Sequence, residues 1–220
     1  MSDVGQLLFD PALLFRLQLR PCATSLKFGE RDWQLPQQAE LPDLGSSLSG
    51  QPAFAKIRMA QSDSGLFLNL QVRGKRQLAW CRESRVEDSD GLHLWLDARN
   101  SRDVHRATRY CYRFVFAPLG RGPRADQPFA GWAPINRARE HSPPPPEKLL
   151  LVQAKIVPQG YDLWASLSWQ ALKGFDKNDF PVLGFYCAVI DRELGWQSLG
   201  LGPQYPVAED PSLWCELALS

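Results

Sequence analysis

Side chains along this chain alternate with a period of two, and that pattern commits most of it to β-strands. Phe15, Leu17 and Leu19 alternate with Arg16, Gln18 and Arg20. Ala55, Ile57 and Met59 alternate with Lys56, Arg58 and Ala60, and Leu66, Leu68, Leu70 and Val72 with Phe67, Asn69 and Gln71. Leu92, Leu94 and Leu96 alternate with His93, Trp95 and Asp97, and Tyr110, Tyr112, Phe114 and Phe116 with Arg109, Cys111, Arg113 and Val115. Successive strand residues point to opposite faces, so each segment has one apolar face and one mixed face. Tyr161 to Trp169 repeats the pattern, Leu183 to Asp191 is almost wholly apolar, and a last strand is expected within Leu213 to Leu219. Turn chemistry separates these runs at Asp63-Ser64-Gly65, Arg73-Gly74-Lys75, Asp90-Gly91 and Gln159-Gly160. Trp169 to Gly174 can make one helical turn at most. The expected fold is an all-β antiparallel sandwich of jelly-roll or immunoglobulin-like type.

A chain of 220 residues is long enough to bury a full sandwich core. The expected organisation is one domain over residues 1–220, with a Pro/Gly-rich loop insertion at 119–148. That stretch includes Gly120, Gly122, Pro123, Pro128, Gly131 and Pro134, then Pro143 to Pro146 in a row, which cannot donate to a strand ladder. The net charge of +1 gives no global field for nucleic acid or an anionic membrane, and no apolar run approaches the ~20 residues that span a bilayer. No secretory n-region precedes the apolar stretch that Asp10, Pro11, Arg16 and Arg20 interrupt. The five cysteines, Cys22, Cys81, Cys111, Cys187 and Cys215, are odd in number, far apart and form no CxxC pair. Together these features read as a cytoplasmic protein with reduced, mostly buried thiols.

Several short motifs, in this order, resemble the family 9 carbohydrate-binding modules. Asp90-Gly91-Leu92-His93-Leu94-Trp95-Leu96-Asp97 resembles that family's acidic residue, alternating strand and Asp. Gly160-Tyr161 through Ser168-Trp169 resembles its Gly-Tyr strand, and Leu183-Gly184-Phe185 with Val189-Ile190-Asp191 its Gly-Phe to Asp strand. Asp210-Pro211-Ser212 resembles the closing motif, and Ala55 to Val72 fits the preceding hairpin. The resemblance covers most of residues 53–220 and implies a jelly-roll sandwich related to haem-binding DOMON-like domains. It also implies a sugar clamp of two tryptophans, but the aligned positions hold Glu87 and Ala208, the nearest tryptophan to the first being Trp80. A family glutamate corresponds to His93, and a family arginine to Arg113.

If the core takes Leu92, Leu94 and Leu96, then His93, Trp95 and Asp97 face outward. By the same logic Arg109 and Arg113 face outward on the next strand, and Trp164 on a third. Were these strands neighbours, one outer face would carry His93, Trp95, Arg109, Arg113 and Trp164, with Trp80 nearby. Indoles stack on the apolar faces of sugars while guanidinium groups meet hydroxyls or carboxylates. The competing reading has the insertion covering this face, with the indoles packed beneath it. Arg99, Arg102, His105, Arg106, Arg109 and Arg113 form a basic cluster that could grip an anion or simply pair with Glu83, Glu87, Asp88 and Asp90. Glu87, Asp88, Ser89, Asp90 and Asp97 offer oxygens for a structural calcium, without a full ligand set.

Catalysis finds little support. The chain has only three histidines, His93, His105 and His141, and no GxSxG, HExxH or P-loop motif. Haem would need axial ligands, and Met59 reads as a core residue. The expected function is a non-catalytic binding domain for a carbohydrate or similar small polar ligand, with no cofactor. The alternative is a cytosolic protein-interaction or structural protein on the same scaffold with the sugar site lost.

Overall fold

The computed structural model describes residues 18–219 apart from Asp32. The chain first makes two short strands, β1 (Gln18–Leu19) and β2 (Cys22–Ala23), and one short helix, α1 (Leu44–Ser49). The hairpin of β3 (Ala55–Ser62) and β4 (Gly65–Arg73) follows, then β5 (Gly91–Asp97), β6 (Cys111–Arg121) and β7 (Gln127–Ala133). A second hairpin, β8 (Leu150–Val157) and β9 (Gly160–Ser168), precedes β10 (Val182–Asp191), β11 (Gly195–Ser198) and β12 (Cys215–Ala218). They form two sheets. The seven-stranded sheet has the order β1-β12-β10-β5-β6-β7, with β11 also beside β10; the five-stranded sheet has the order β2-β3-β4-β9-β8. The sheets are mixed rather than wholly antiparallel, because β1 joins β12 and β2 joins β3 in parallel.

The two sheets enclose the apolar faces that alternation marks out. Leu92, Leu94 and Leu96 from β5 and Tyr112, Phe114 and Phe116 from β6 meet Leu66, Leu68 and Leu70 from β4 and Leu163, Ala165 and Leu167 from β9 in one core. Each fully buried Leu or Phe among them removes enough area from water to contribute about 1.5–3 kcal/mol. Met59 lies in this core, only 1% exposed. One polar residue ties the sheets together. Gln197 on β11 accepts the Phe54 and Ala55 N–H groups at 2.7 and 2.8 Å, and its own amide donates to Ala55 O at 2.8 Å.

Residues 119–148 differ from expectation. They are not a continuous loop, since β7 lies inside them and pairs with β6. Pro128 and Gly131 mask the alternation of this strand. Both are tolerated because β7 is a sheet edge, and Pro128 falls where the register with β6 shifts. The expected strand over Phe15 to Arg20 is described only at Gln18–Leu19, its earlier residues lying outside the described residues. All five cysteines are free, and four are buried. Burial pushes the Cys81, Cys111 and Cys215 thiols up to about 12, so they are unreactive at neutral pH. Among the described residues no helix is long and apolar enough to cross a membrane.

Candidate functional site

The outer face of the seven-stranded sheet carries His93, Trp95 and Arg113 as alternation requires, but it is closed. His93 and Trp95 are both 0% exposed. The Trp95 ring stacks between His93 and Trp196, with centroids 5.9 and 6.3 Å away, and tilts against Tyr186 at 5.3 Å. Ile135, Leu201, Val207 and Trp214 complete the cover. Part of the lid therefore comes from the loop after β7 and the rest from residues 201–214. Of the two readings drawn from the sequence, the covered face is the one found: an open platform is ruled out, and the insertion supplies part of the cover over a second, smaller core.

His93 sits in a fixed hydrogen-bond frame. Arg113 can only donate, so its Nη2 donates to His93 Nδ1 at 3.0 Å. The imidazole hydrogen is then on Nε2, which donates to Ser89 O at 2.9 Å. Burial, reinforced by the Arg113 charge, holds the His93 pKa down to about 3, so the ring is neutral at physiological pH. Arg113 lies over Trp95 at 5.0 Å and also donates to Glu87 O.

The other anticipated residues are dispersed. Arg109 is exposed and pairs with Glu140 at 3.0 Å. Trp80 is half-buried with the Arg192 guanidinium 3.3 Å from its ring centre, and Arg82 and Arg85 lie further off. Trp164 belongs to the opposite sheet, because β9 pairs with β4 and β8 and not with β5 or β6. The clamp positions hold an exposed Glu87 and a half-buried Ala208, neither of them aromatic.

The basic cluster is paired, mostly with partners the sequence did not suggest. Arg102 meets Glu216, His105 meets Asp210 and Ser212, and Arg106 donates to Arg137 O. Arg99 stacks over Tyr110 and Phe180, while Glu83 is taken by Arg121. The acidic run also diverges. Asp88 binds Arg85, and Asp97 accepts the Arg99 and Ser101 N–H groups. Asp90 joins Asp191 and Glu193 around the buried ammonium of Lys75, which lies 2.5 Å from Asp191 and 3.7 Å from each of the other two. Among the described residues no group of three His, Cys, Asp or Glu side chains is placed to hold a metal ion. Met59 in the core and His93 beneath the outer layer point to opposite faces of different sheets, so they cannot ligate one haem.

The open face belongs to the five-stranded sheet. Its outward rows follow from the register: Arg58, Asn69, Trp164 and Gln153 lie across one row, and Ala60, Phe67, Ser166 and Leu151 across the next. A strap on either side of Asp32 crosses this face. Thr24 N donates to Gln61 O, Phe28 N to Ser64 Oγ and Leu35 N to Asn69 Oδ1, at 2.8, 2.8 and 2.9 Å. The strap lays Trp33 edge-on against Phe67, centroids 5.4 Å apart. Between strap and β8 a groove of about 450 Å³ remains, lined by Glu30, Arg31, Trp33, Gln153, Trp164 and Ser166 among others. Trp164 is half-buried and its Nε1–H has no acceptor. The groove thus combines indole surface with amide, hydroxyl, carboxylate and guanidinium groups. Sequence reasoning marked Trp164 and missed the rest. The signal for Gln153 was present, in the alternation of Val152, Ala154 and Ile156 with Gln153 and Lys155.

No family model and no curated protein matches this sequence. Solved structures do. A family 9 carbohydrate-binding module from Caldicellulosiruptor kristjanssonii in complex with glucose superposes with a TM-score of 0.60 at 13% identity, over 93% of this chain and 96% of that one. The same organism's module in complex with cellotriose gives 0.58 at 12% identity, over 93% of each chain. A Bacteroides uniformis protein suggested to bind carbohydrate gives 0.57 at 10% identity, over 92% of this chain and 99% of that one. At such identities the likeness establishes the fold. This chain has the β-sandwich of the family 9 modules.

Proposed function

We propose that this protein is a non-catalytic carbohydrate-binding domain, one sandwich throughout, whose site is the groove on the five-stranded sheet. The observation that carries the reading is the pairing of Trp164 and Trp33 with Gln153, Ser166, Glu30 and Arg31 in one open concavity. Sugar rings present apolar C–H faces to indoles and a rim of hydroxyls to planar polar groups, so such a mixture suits a pyranose. The sandwich it shares with modules solved with glucose and cellotriose supports the same class of ligand. The absence of aromatics at the clamp positions and the closed face around Trp95 direct attention to the other sheet.

The test is calorimetric titration with soluble polysaccharides. Trp164→Ala is expected to weaken binding at least tenfold, with the melting temperature shifting by only a few degrees. Trp164 is half-buried, so a Trp164→Phe variant keeps the packing and should retain part of the affinity. Unchanged affinity in both variants would remove the groove as the site.

A further inference from the structure

Resting on that reading, we infer that the groove's ligand is an acidic polysaccharide, a chain of uronic acid residues, rather than a neutral glucan. The charge balance of the groove's face carries this. The chain as a whole has a net charge of only +1, yet its charges are not evenly satisfied on this face. Every carboxylate found there among the described residues already has a partner. Asp162 is bound by Arg73 at 2.5 Å and Glu40 lies 3.7 Å from Arg58, while Glu30 accepts only the Lys27 backbone N–H at 2.7 Å and is the one carboxylate there without an ion pair among the described residues, against three unpaired cations.

The cations are in the opposite condition. Arg31 in the groove wall, and Lys155 and Lys56 in the row Lys56-Gln71-Asp162-Lys155, are exposed and make no ion pair or side-chain hydrogen bond among the described residues. Lys155 is two residues from Gln153 on β8, hence on the same face one step along the strand. Free positive charge therefore runs from the groove mouth along the sheet.

A carboxylate on a sugar C5 projects from the ring edge when the ring face lies on an indole. Arg31 offers such a group a bidentate fork. Lys155 would meet the carboxylate of a following residue in the chain. A neutral glucan would leave all of these charges unused. The other anionic polymer that pairs stacking with cations is single-stranded nucleic acid. The amide and hydroxyl groups of Gln153 and Ser166 in the lining favour hydroxyl-rich rings over phosphates.

The experiment compares oligogalacturonate, alginate oligomers and hyaluronan oligomers with the methyl-esterified oligogalacturonate, and includes a single-stranded oligonucleotide. Titrations are run at about 20 and 200 mM salt, where exposed charges are differently screened. The expected result is tighter binding of at least one free acid than of the ester, the preference shrinking in high salt. Lys155→Gln should lower acid binding severalfold and leave ester binding and the melting temperature unchanged, since its side chain is exposed and outside the groove lining; Arg31→Gln should weaken the acid more than the ester. Trp164→Ala should weaken acid and ester alike. Equal binding of acid and ester overturns the inference and leaves the carbohydrate reading standing. Binding of none of these overturns the inference, and binding of no polysaccharide in the calorimetric titration either overturns both. Tighter binding of the oligonucleotide overturns the inference by assigning the face to nucleic acid.

Discussion

Acid should unfold this protein partly through one imidazole. His93 is fully buried, accepts from Arg113, donates to Ser89 O, and titrates near 3 instead of 6.5. Above pH 6.5 it is neutral in both the folded and unfolded chain and contributes no pH dependence. Below 6.5 the unfolded chain takes up a proton that the folded protein refuses, so stability falls as pH falls, until the folded pKa is reached. Each pH unit in that window costs about 1.4 kcal/mol. Between pH 7 and 4.5 the loss is therefore about 2.7 kcal/mol, and about 5 kcal/mol by pH 3. Other groups titrate too. Burial raises Asp90 and Asp97, which gives stability back in acid, while Arg102 and its neighbours lower Glu216, which takes it away. A His93→Gln variant cancels these background terms. Its amide can still donate to Ser89 O, and it does not titrate. Urea unfolding followed by tryptophan fluorescence at pH 7 and 4.5 gives the double difference. The wild type should lose about 2–3 kcal/mol more than the variant over that interval. Equal losses in the two proteins would refute the argument that the buried neutral ring is responsible, whatever the variant's stability at pH 7.

Three further outcomes follow from the packing. Lys75→Met removes the ammonium facing Asp90, Asp191 and Glu193; the uncompensated carboxylates should cost about 3–5 kcal/mol in chemical denaturation, and adding Asp191→Asn should recover part of it. Gln197→Ala leaves the Phe54 and Ala55 N–H groups and Ala55 O without their partner, and calorimetry should show a loss of about 2–4 kcal/mol. Trp95→Ala opens a cavity in the layer over β5 and should cost about 3–5 kcal/mol. Polysaccharide affinity of the folded variant should stay within twofold of wild type, and a larger fall would return the binding role to the seven-stranded sheet.

The strands that alternation revealed are those whose two faces differ in polarity, even where, as on β5, both faces are buried. β3, β4, β5, β6 and β9 each put one face into the core, and their apolar residues repeat every second position. β7 escaped detection because its Gln127-Pro128-Phe129-Ala130-Gly131-Trp132-Ala133 run carries a proline and a glycine that only an edge position with a register shift tolerates. β8 also alternates, at Val152, Ala154 and Ile156 against Gln153 and Lys155, but it lies just beyond the four consecutive prolines and receives no element from the sequence. Burial of the thiols and of Met59 was legible because small apolar or sulfur side chains in strand register have no other use there.

The site was legible only in fragments. Alternation assigned Trp164 to the outward face of its strand, and the register agrees, since it shares a row with Asn69 and Gln153. Which sheet that strand enters depends on pairing between segments about a hundred residues apart, such as Asn69 opposite Trp164, and local sequence carries no record of it. The same holds for what covers an outward face. Ile135, Leu201, Val207 and Trp214 close over Trp95 from segments without periodicity. Strand chemistry is thus written locally, because a side chain's face is fixed by its position parity. The open groove between Trp33 and Trp164 exists only because distant segments are brought together, one as the strap and one as the neighbouring strand.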